Sequence, residues 1–329
     1  MARQLLLERA RTPLPRALER IGGLQAQYAP AMYVGMWSRL EGLDRDQVTR
    51  ALERRSVIQG TLLRSTIHLV SARDWWPLAV AVRKARREWW LRSWRDAPDA
   101  RGMAAAGRRL RTRLAQGPMR RAEIDELLGR PASLGAGLWV DMVRVPPSGT
   151  WERRRADVFA AAEDWLGPPA IEPEPAIEYL VRSYLRGFGP ATRGDIASWA
   201  GLPIGAVTPA LARIETRSFR AEDGADLVDL PRQPLPDPET PAPPRFLPTW
   251  DANLLVHARR TQILPEEYRP RIFNTKTPHS FPTFLVDGAV AGTWRHEGGR
   301  IELSPFGKLD RAARRELEVE AERLAAFHA

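Results

Sequence analysis

Cysteine is absent from the chain. That excludes a disulfide framework, a thiol nucleophile and a thiolate metal site. Histidine is scarce: His68, His257, His279, His296 and His328 are all there are, and no two stand three or four residues apart. A histidine metal site is therefore not expected, and no cofactor is expected either. Lysine is nearly missing, with only Lys84, Lys276 and Lys308, so covalent amine chemistry is not expected. Long apolar runs are lacking too, which excludes a membrane-spanning helix. The first residues carry no apolar core of a secretory signal. Together these absences predict a soluble cytoplasmic protein.

What the chain does have is arginine. Lys+Arg total 50 against 40 Asp+Glu, for a net charge of +10. Almost all of that positive charge is guanidinium, which grips phosphate with two parallel bonds and stacks on flat rings, a chemistry suited to nucleic acid. A GC-rich genome produces the same Arg, Ala and Pro bias, so charge alone does not decide the matter. At 329 residues the chain is long enough for two or three small domains with cores of their own.

Helical patterns occupy residues 3–10, 14–21 and 32–39, and Asp44 is a candidate N-cap for a helix over 45–54. Residues 56–70 are β-branched and apolar and read as strand material. Helices followed by a hairpin give the outline of a winged helix. A long helical stretch over 73–96 carries Trp75, Trp76, Trp89, Trp90 and Trp94, which at that spacing read as packing rather than as base-stacking platforms.

An internal repeat follows. Residues 117–124 (GPMRRAEI) match residues 189–196 (GPATRGDI), 72 residues apart. Each opens a helix, a turn and a second helix, and each leads to a candidate wing, at 143–151 and at 219–228, the latter with Asp223-Gly224 as its turn. Residues 231–244 hold seven prolines and form a stiff connector. The stretch 245–305 is strand-rich, with Asp287-Gly288 as a hairpin turn, and an Arg/Glu-rich helix at 309–327 reads as a solvated face. The predicted class is α+β, mainly α: three tandem winged-helix (helix-turn-helix) units at 1–96, 97–172 and 173–230, a linker at 231–244, and a β-rich element at 245–329.

One short stretch organises this plan. Gly22 and Gly23 end the first amphipathic helix, and Pro30 biases Ala29 away from helical angles. Between them Gln25 and Gln27 stand two residues apart, so in extended chain both amides face the same way and Ala26 faces the other. Such a pair can hold one water, or bridge a water and a phosphate or sugar. Read locally, the same pair is also a plain solvated turn. His68, on the first wing, is a candidate phosphate or sugar contact or a structural histidine. Arg144, beside the second wing's turn, is a candidate phosphate contact or a surface arginine. Asp251 reads first as a helix N-cap.

Leu24-Gln25-Ala26-Gln27, the strand Arg64–Val70, the two Gly-Pro starts, Arg144–Trp151 and Leu247–Asn253 together resemble the bacterial winged-helix superfamily that includes the AlkZ and YcaQ DNA glycosylases. The resemblance covers nearly the whole chain. It implies three winged helices in a C-shape around duplex DNA, acting as a monomer. It implies excision of N7-alkylguanine adducts, including bulky natural-product lesions and interstrand crosslinks, in a setting of self-protection. The glutamine at position 27, where the YcaQ branch has Asp, is similar to the AlkZ branch and marks Gln25 and Gln27 as catalytic. A hairpin that probes the minor groove falls by position on 273–294, with Asn274, Lys276 and His279 as DNA contacts. Asp251 resembles an acid that the family carries at this place.

The chemistry fits. An N7-alkylated guanine is already cationic and leaves without a proton, so two uncharged amides that fix a water at the sugar suffice, and positioning lowers the barrier. A carboxylate would polarise the water more strongly, and none is offered here. The expectation is a monofunctional glycosylase. The alternative is a non-catalytic winged-helix DNA-binding protein or transcription regulator.

Overall fold

The computed structural model describes residues 1–255, 261–274 and 279–329. The first cassette comprises α1 (Leu14–Ile21), β1 (Leu24–Gln25), α2 (Ala29–Trp37), α3 (Arg45–Glu53), β2 (Val57–Thr61), β3 (Ile67–Ser71) and the long α4 (Ala72–Ser93). The second has α5 (Ala100–Leu114), β4 (Met119–Arg120), α6 (Arg121–Leu128), α7 (Ala132–Gly135), β5 (Met142–Arg144), β6 (Val158–Ala161) and α8 (Ala162–Leu166). The third has α9 (Pro173–Phe188), α10 (Arg193–Ala200), α11 (Ile204–Ala212), β7 (Arg217–Arg220) and β8 (Asp226–Asp229). Helices leading into an antiparallel hairpin thus recur along the chain.

The C-terminal part holds β9 (Arg245–Leu247), α12 (Ala252–Leu255), α13 (Arg269–Ile272), β10 (Phe273–Asn274), β11 (His279–Ser280), β12 (Thr283–Val286), β13 (Ala289–Glu297), β14 (Arg300–Pro305) and α14 (Arg311–His328). β14, β13, β12 and β9 form one antiparallel sheet, while β10 and β11 pair separately. Among the described residues no helix is long and apolar enough to cross a membrane.

The internal repeat has a structural counterpart. Met119 pairs with Phe159 on the second strand of its hairpin, and Ala191, the matching residue of the second copy, bridges Val228 on the second strand of its own. Both bridges lead directly into a helix: α10 opens with a capping box between Thr192 and Asp195, and at α6 the Glu123 carboxylate accepts from the Arg120 backbone N–H. The Gly-Pro starts therefore fasten each helix pair to its hairpin.

The cassettes are not separate beads. β2 pairs with β5 through Gly60 and Val143, and one six-stranded sheet runs β1-β3-β2-β5-β6-β4. α4 closes over this sheet and packs against α9. Trp75, Leu78 and Val82 of α4 share a core with Leu180, Tyr184 and Phe188 of α9 and Trp199 of α10. Trp90 is buried as well, while Trp89 and Trp94 stand exposed at the far end of α4.

Three expectations needed correction. Residues 3–10 are not a helix: only Ala2–Gln4 make a single turn, and Leu5 takes left-handed angles. The Gln4 side chain, bonded to the carbonyls of Ile21 and Gly187, holds this segment instead. Pro30 does not bar Ala29 from a helix, because α2 begins at Ala29 with the proline in its first turn, where the missing N–H has no partner to lose. The terminal α14 is not merely a solvated face, since Leu317, Leu324 and Phe327 are buried and Glu320 pairs with Arg9. Asp44 caps α3 as expected, accepting from the Gln47 amide.

The first cassette is joined to the C-terminal sheet by an ion pair with no exposure on either side. Arg39 Nη2 lies 3.0 and 3.1 Å from the two carboxylate oxygens of Asp251, and Arg39 Nη1 donates to the Gly35 carbonyl at 2.8 Å. Asp251 also accepts from the Asn253 backbone at 3.0 Å, so it combines a cap at α12 with a buried charge. Removing one partner of such a pair strands the other charge in the core. Asp251→Asn is expected to lower unfolding free energy by about 3 kcal/mol or more, measured as the shift in urea midpoint at constant slope.

Candidate active site

The glutamine segment is placed by a turn and a very short strand. α1 ends at Gly22 in left-handed conformation, with φ of 78°. Gly23 follows at φ 81°, and a Cβ there would stand 2.8 Å from Val70 Cγ1. The chain can turn onto β3 only because both residues are glycine. β1 then pairs with β3, Leu24 opposite Leu69 and Gln25 opposite His68. The Ala26 amide donates to the Ile67 carbonyl at 2.7 Å.

Side chains alternate as the spacing predicts. Leu24 and Ala26 enter the core. Gln25 is 8% exposed, at the edge of that core, and Gln27 is exposed. Each amide has a fixed orientation. Gln25 Oε1 accepts from Arg64 Nη2 at 3.0 Å, and Gln27 Oε1 accepts from the Ile67 backbone N–H at 2.8 Å. Both partners can only donate, so each amide turns its oxygen toward them. The expectation that both amide oxygens lie open for a water is thereby narrowed. Each keeps one lone pair and its full set of N–H donors.

Arg64 lies where sequence reasoning saw only a strand. It sits with Ser65 in the turn between β2 and β3, at φ 51° and 59° respectively. Its other terminal nitrogen donates to the Trp199 carbonyl in the last turn of α10. Burial lowers its pKa to about 10, which still leaves it charged at neutral pH. Among the described residues no carboxylate pairs with it. Arg64, Ser65, Arg86, Trp89 and Arg92 line one open cleft of about 520 Å³.

His68 is 3% exposed. Burial, then the Arg64 and Arg86 cations, push its pKa down to about 3. Its Nδ1 lies 3.1 Å from the Thr66 carbonyl, so in the neutral ring Nδ1 carries the proton. A buried neutral imidazole offers no cation to a phosphate. The expected DNA contact gives way to a place behind Gln25, across the β1–β3 ladder.

Arg144 is half-buried and reaches Thr61 Oγ1 at 3.4 Å, with its guanidinium over the Phe159 ring. Burial and the nearby Arg121 lower its pKa to about 10, and no described carboxylate pairs with it. Asp251 is committed to Arg39 and is not an open acid. Asn274 and His279 face each other as partners in the β10–β11 pair, while Lys276 lies outside the described residues. Among the described residues no three His, Asp or Glu side chains gather closely enough to hold a metal ion.

The model of one protein family, described as DNA glycosylase AlkZ-like, matches residues 18–327. The chain belongs to the AlkZ-like DNA glycosylase family. It is thus an enzyme that hydrolyses N-glycosyl bonds in DNA, a repair activity, and the regulator alternative gives way. The AlkZ-like fold is also recognisable in space. The structure of Streptomyces sahachiroi DNA glycosylase AlkZ superposes with a TM-score of 0.84 at 20% sequence identity, covering 100% of this chain and 95% of that one. Among curated proteins, none matches the sequence significantly.

The histidine behind Gln25 gives this AlkZ-like chain a pH signature. A ring kept neutral by the fold binds its proton mainly when unfolded, where the pKa is near 6.5. The unfolded state therefore gains protons below that value, and stability falls as pH drops toward about 3. His68→Asn is expected to flatten this fall by up to about 1.4 kcal/mol per pH unit. Urea unfolding of both proteins between those limits measures the difference.

Proposed function

We propose that this glycosylase releases N7-alkylguanine from duplex DNA, with Gln25 and Gln27 positioning the attacking water. The observation that carries the reading is the charge make-up of the site. Gln25 stands opposite a neutral imidazole, and the charges that act on His68 and Arg144 are cations, Arg64 and Arg86 on the one and Arg121 on the other. Among the described residues such a site has no strong acid to protonate a leaving base. It suits a base that already bears a positive charge, which alkylation at N7 provides. Hydrolysis then passes through an oxocarbenium-like sugar, as in other glycosides. The glutamines contribute by holding water and sugar in register.

The guanidinium of Arg144, which no described carboxylate pairs, fits a phosphate flanking the lesion, and that phosphate offsets the cationic field in turn. In this reading the three cassettes act as winged helices curved around the duplex, and a single chain suffices. The hairpin expected within residues 273–294 enters the minor groove, with Asn274, Lys276 and His279 as its contacts. Bulky adducts and interstrand crosslinks fall within the same chemistry where their attachment leaves guanine cationic. Self-protection against a DNA-alkylating natural product is the setting that matches.

The test is base release from a duplex carrying a single N7-methylguanine, followed in single turnover beside DNA binding. Gln25→Ala and Gln27→Ala are expected to slow release by about 100-fold or more while affinity changes by less than about threefold. Alanine variants that release base as fast as wild type would overturn the reading. The wild-type rate is also expected to stay level from about pH 6 to about pH 8.5, because no group described at the site titrates there. A bell-shaped profile across that range would point to an acid or base other than these residues.

A further inference from the structure

We infer that Arg64 is the positioning residue of the glutamine pair, holding the Gln25 carbonyl so that the amide N–H groups face away from the guanidinium. The inference rests on the reading of Gln25 as catalytic. Two observations and one physical argument carry it.

The first is the backbone. Arg64 and Ser65 occupy left-handed angles in succession, and neither is glycine. Such angles are unfavourable for any residue with a Cβ, and the strain persists only where surrounding structure over-determines it. Here the turn is closed by the Leu62 amide on the Thr66 carbonyl and the Ser65 amide on the Leu62 carbonyl. Room is made by Gly201, just past α10, where a Cβ would come within 3.2 Å of both N and Cα of Arg64. Glycine at 64 would remove the strain, so the side chain is what the strain retains.

The second is how that side chain is used. The guanidinium donates to two neutral oxygens, the Trp199 carbonyl and Gln25 Oε1, the latter at 3.0 Å. Trp199 belongs to the third cassette and Gln25 to the first. A partly buried arginine is ordinarily matched by a carboxylate. This one has none among the described residues, so its charge is directed at an amide instead.

The third is electronic. A carbonyl that accepts from a cation polarises its amide and makes the N–H groups stronger donors. The same bond fixes which way round the amide sits. An amide free to flip would offer water and sugar its oxygen and its nitrogen in turn.

Arg64→Gly tests this, because glycine suits the backbone and removes only the guanidinium. Single-turnover release of N7-methylguanine at saturating enzyme is expected to slow by about 10- to 100-fold, as for a misplaced catalytic group. Added guanidinium ion is expected to restore part of that rate, relative to the same concentration of sodium chloride, in Arg64→Gly but not in Gln25→Ala. The Arg64→Gly/Gln25→Ala double variant is expected to be no slower than Gln25→Ala alone. Arg64→Lys, which keeps the charge but cannot bridge both oxygens, is expected to remain slow at saturation, and it carries the test if Arg64→Gly does not fold. If either Arg64 variant releases base at the wild-type rate while Gln25→Ala does not, the positioning role is wrong and the glutamine reading stands. If Gln25→Ala itself matches wild type, the glutamine reading falls and this inference with it.

Discussion

The site depends on the pairing of a two-residue edge strand. β1 is too short to stand by itself, and its geometry is set by the register it keeps on β3. That register puts Gln25 opposite His68 and sends Leu24 and Ala26 inward. It also brings the Gln27 side chain to the Ile67 amide, where it serves as one more rung of the ladder. β3 is itself an inner strand, held by β2 on its other side. The glutamines thus inherit the precision of a sheet while sitting at its exposed margin. Sites carried on strands hold their geometry better than sites carried on loops.

Around that strand the electrostatics run one way. Arg64 bonds the Gln25 amide, Arg64 and Arg86 act on the neutral imidazole, and the acids Asp251 and Asp141 are spent on arginines of their own, Arg39 for the one and Arg83 and Arg86 for the other. Such a centre does little to activate a poor leaving group. It can still order a water and a sugar whose bond is already weakened. Under the proposed function, affinity for the polyanion and restraint toward intact nucleotides come from one and the same charge pattern.

Much of this was legible in the chain. The glycine pair, the alternation of Gln25, Ala26 and Gln27, the hairpin turns at Asp223-Gly224 and Asp287-Gly288, and the Asp44 cap are local features, and local physics decides them. The Gly-Pro repeat was visible as sequence, and its meaning as a bridge to each hairpin needed only the register. What stayed hidden depends on contacts between distant residues. Nothing near position 64 says that its side chain crosses to Gln25 and Trp199, because those partners lie 39 and 135 residues away. Nor does a β-branched run reveal which of its members is buried, so the sequence left His68 open between a contact and a structural histidine, and only the fold shows it buried. Arg39 and Asp251 are 212 residues apart, and only the fold makes them one unit.

A chain assembled from repeats is ordinarily divisible, and evolution can add, drop or shuffle its modules. Here the Gly60–Val143 link fuses the first two cassettes into a single sheet, so that sheet runs across the boundary expected between residues 96 and 97. Cutting between them would leave two raw strand edges where there is now an interior. A change that parts these two strands therefore reaches both cassettes at once, the glutamine segment included.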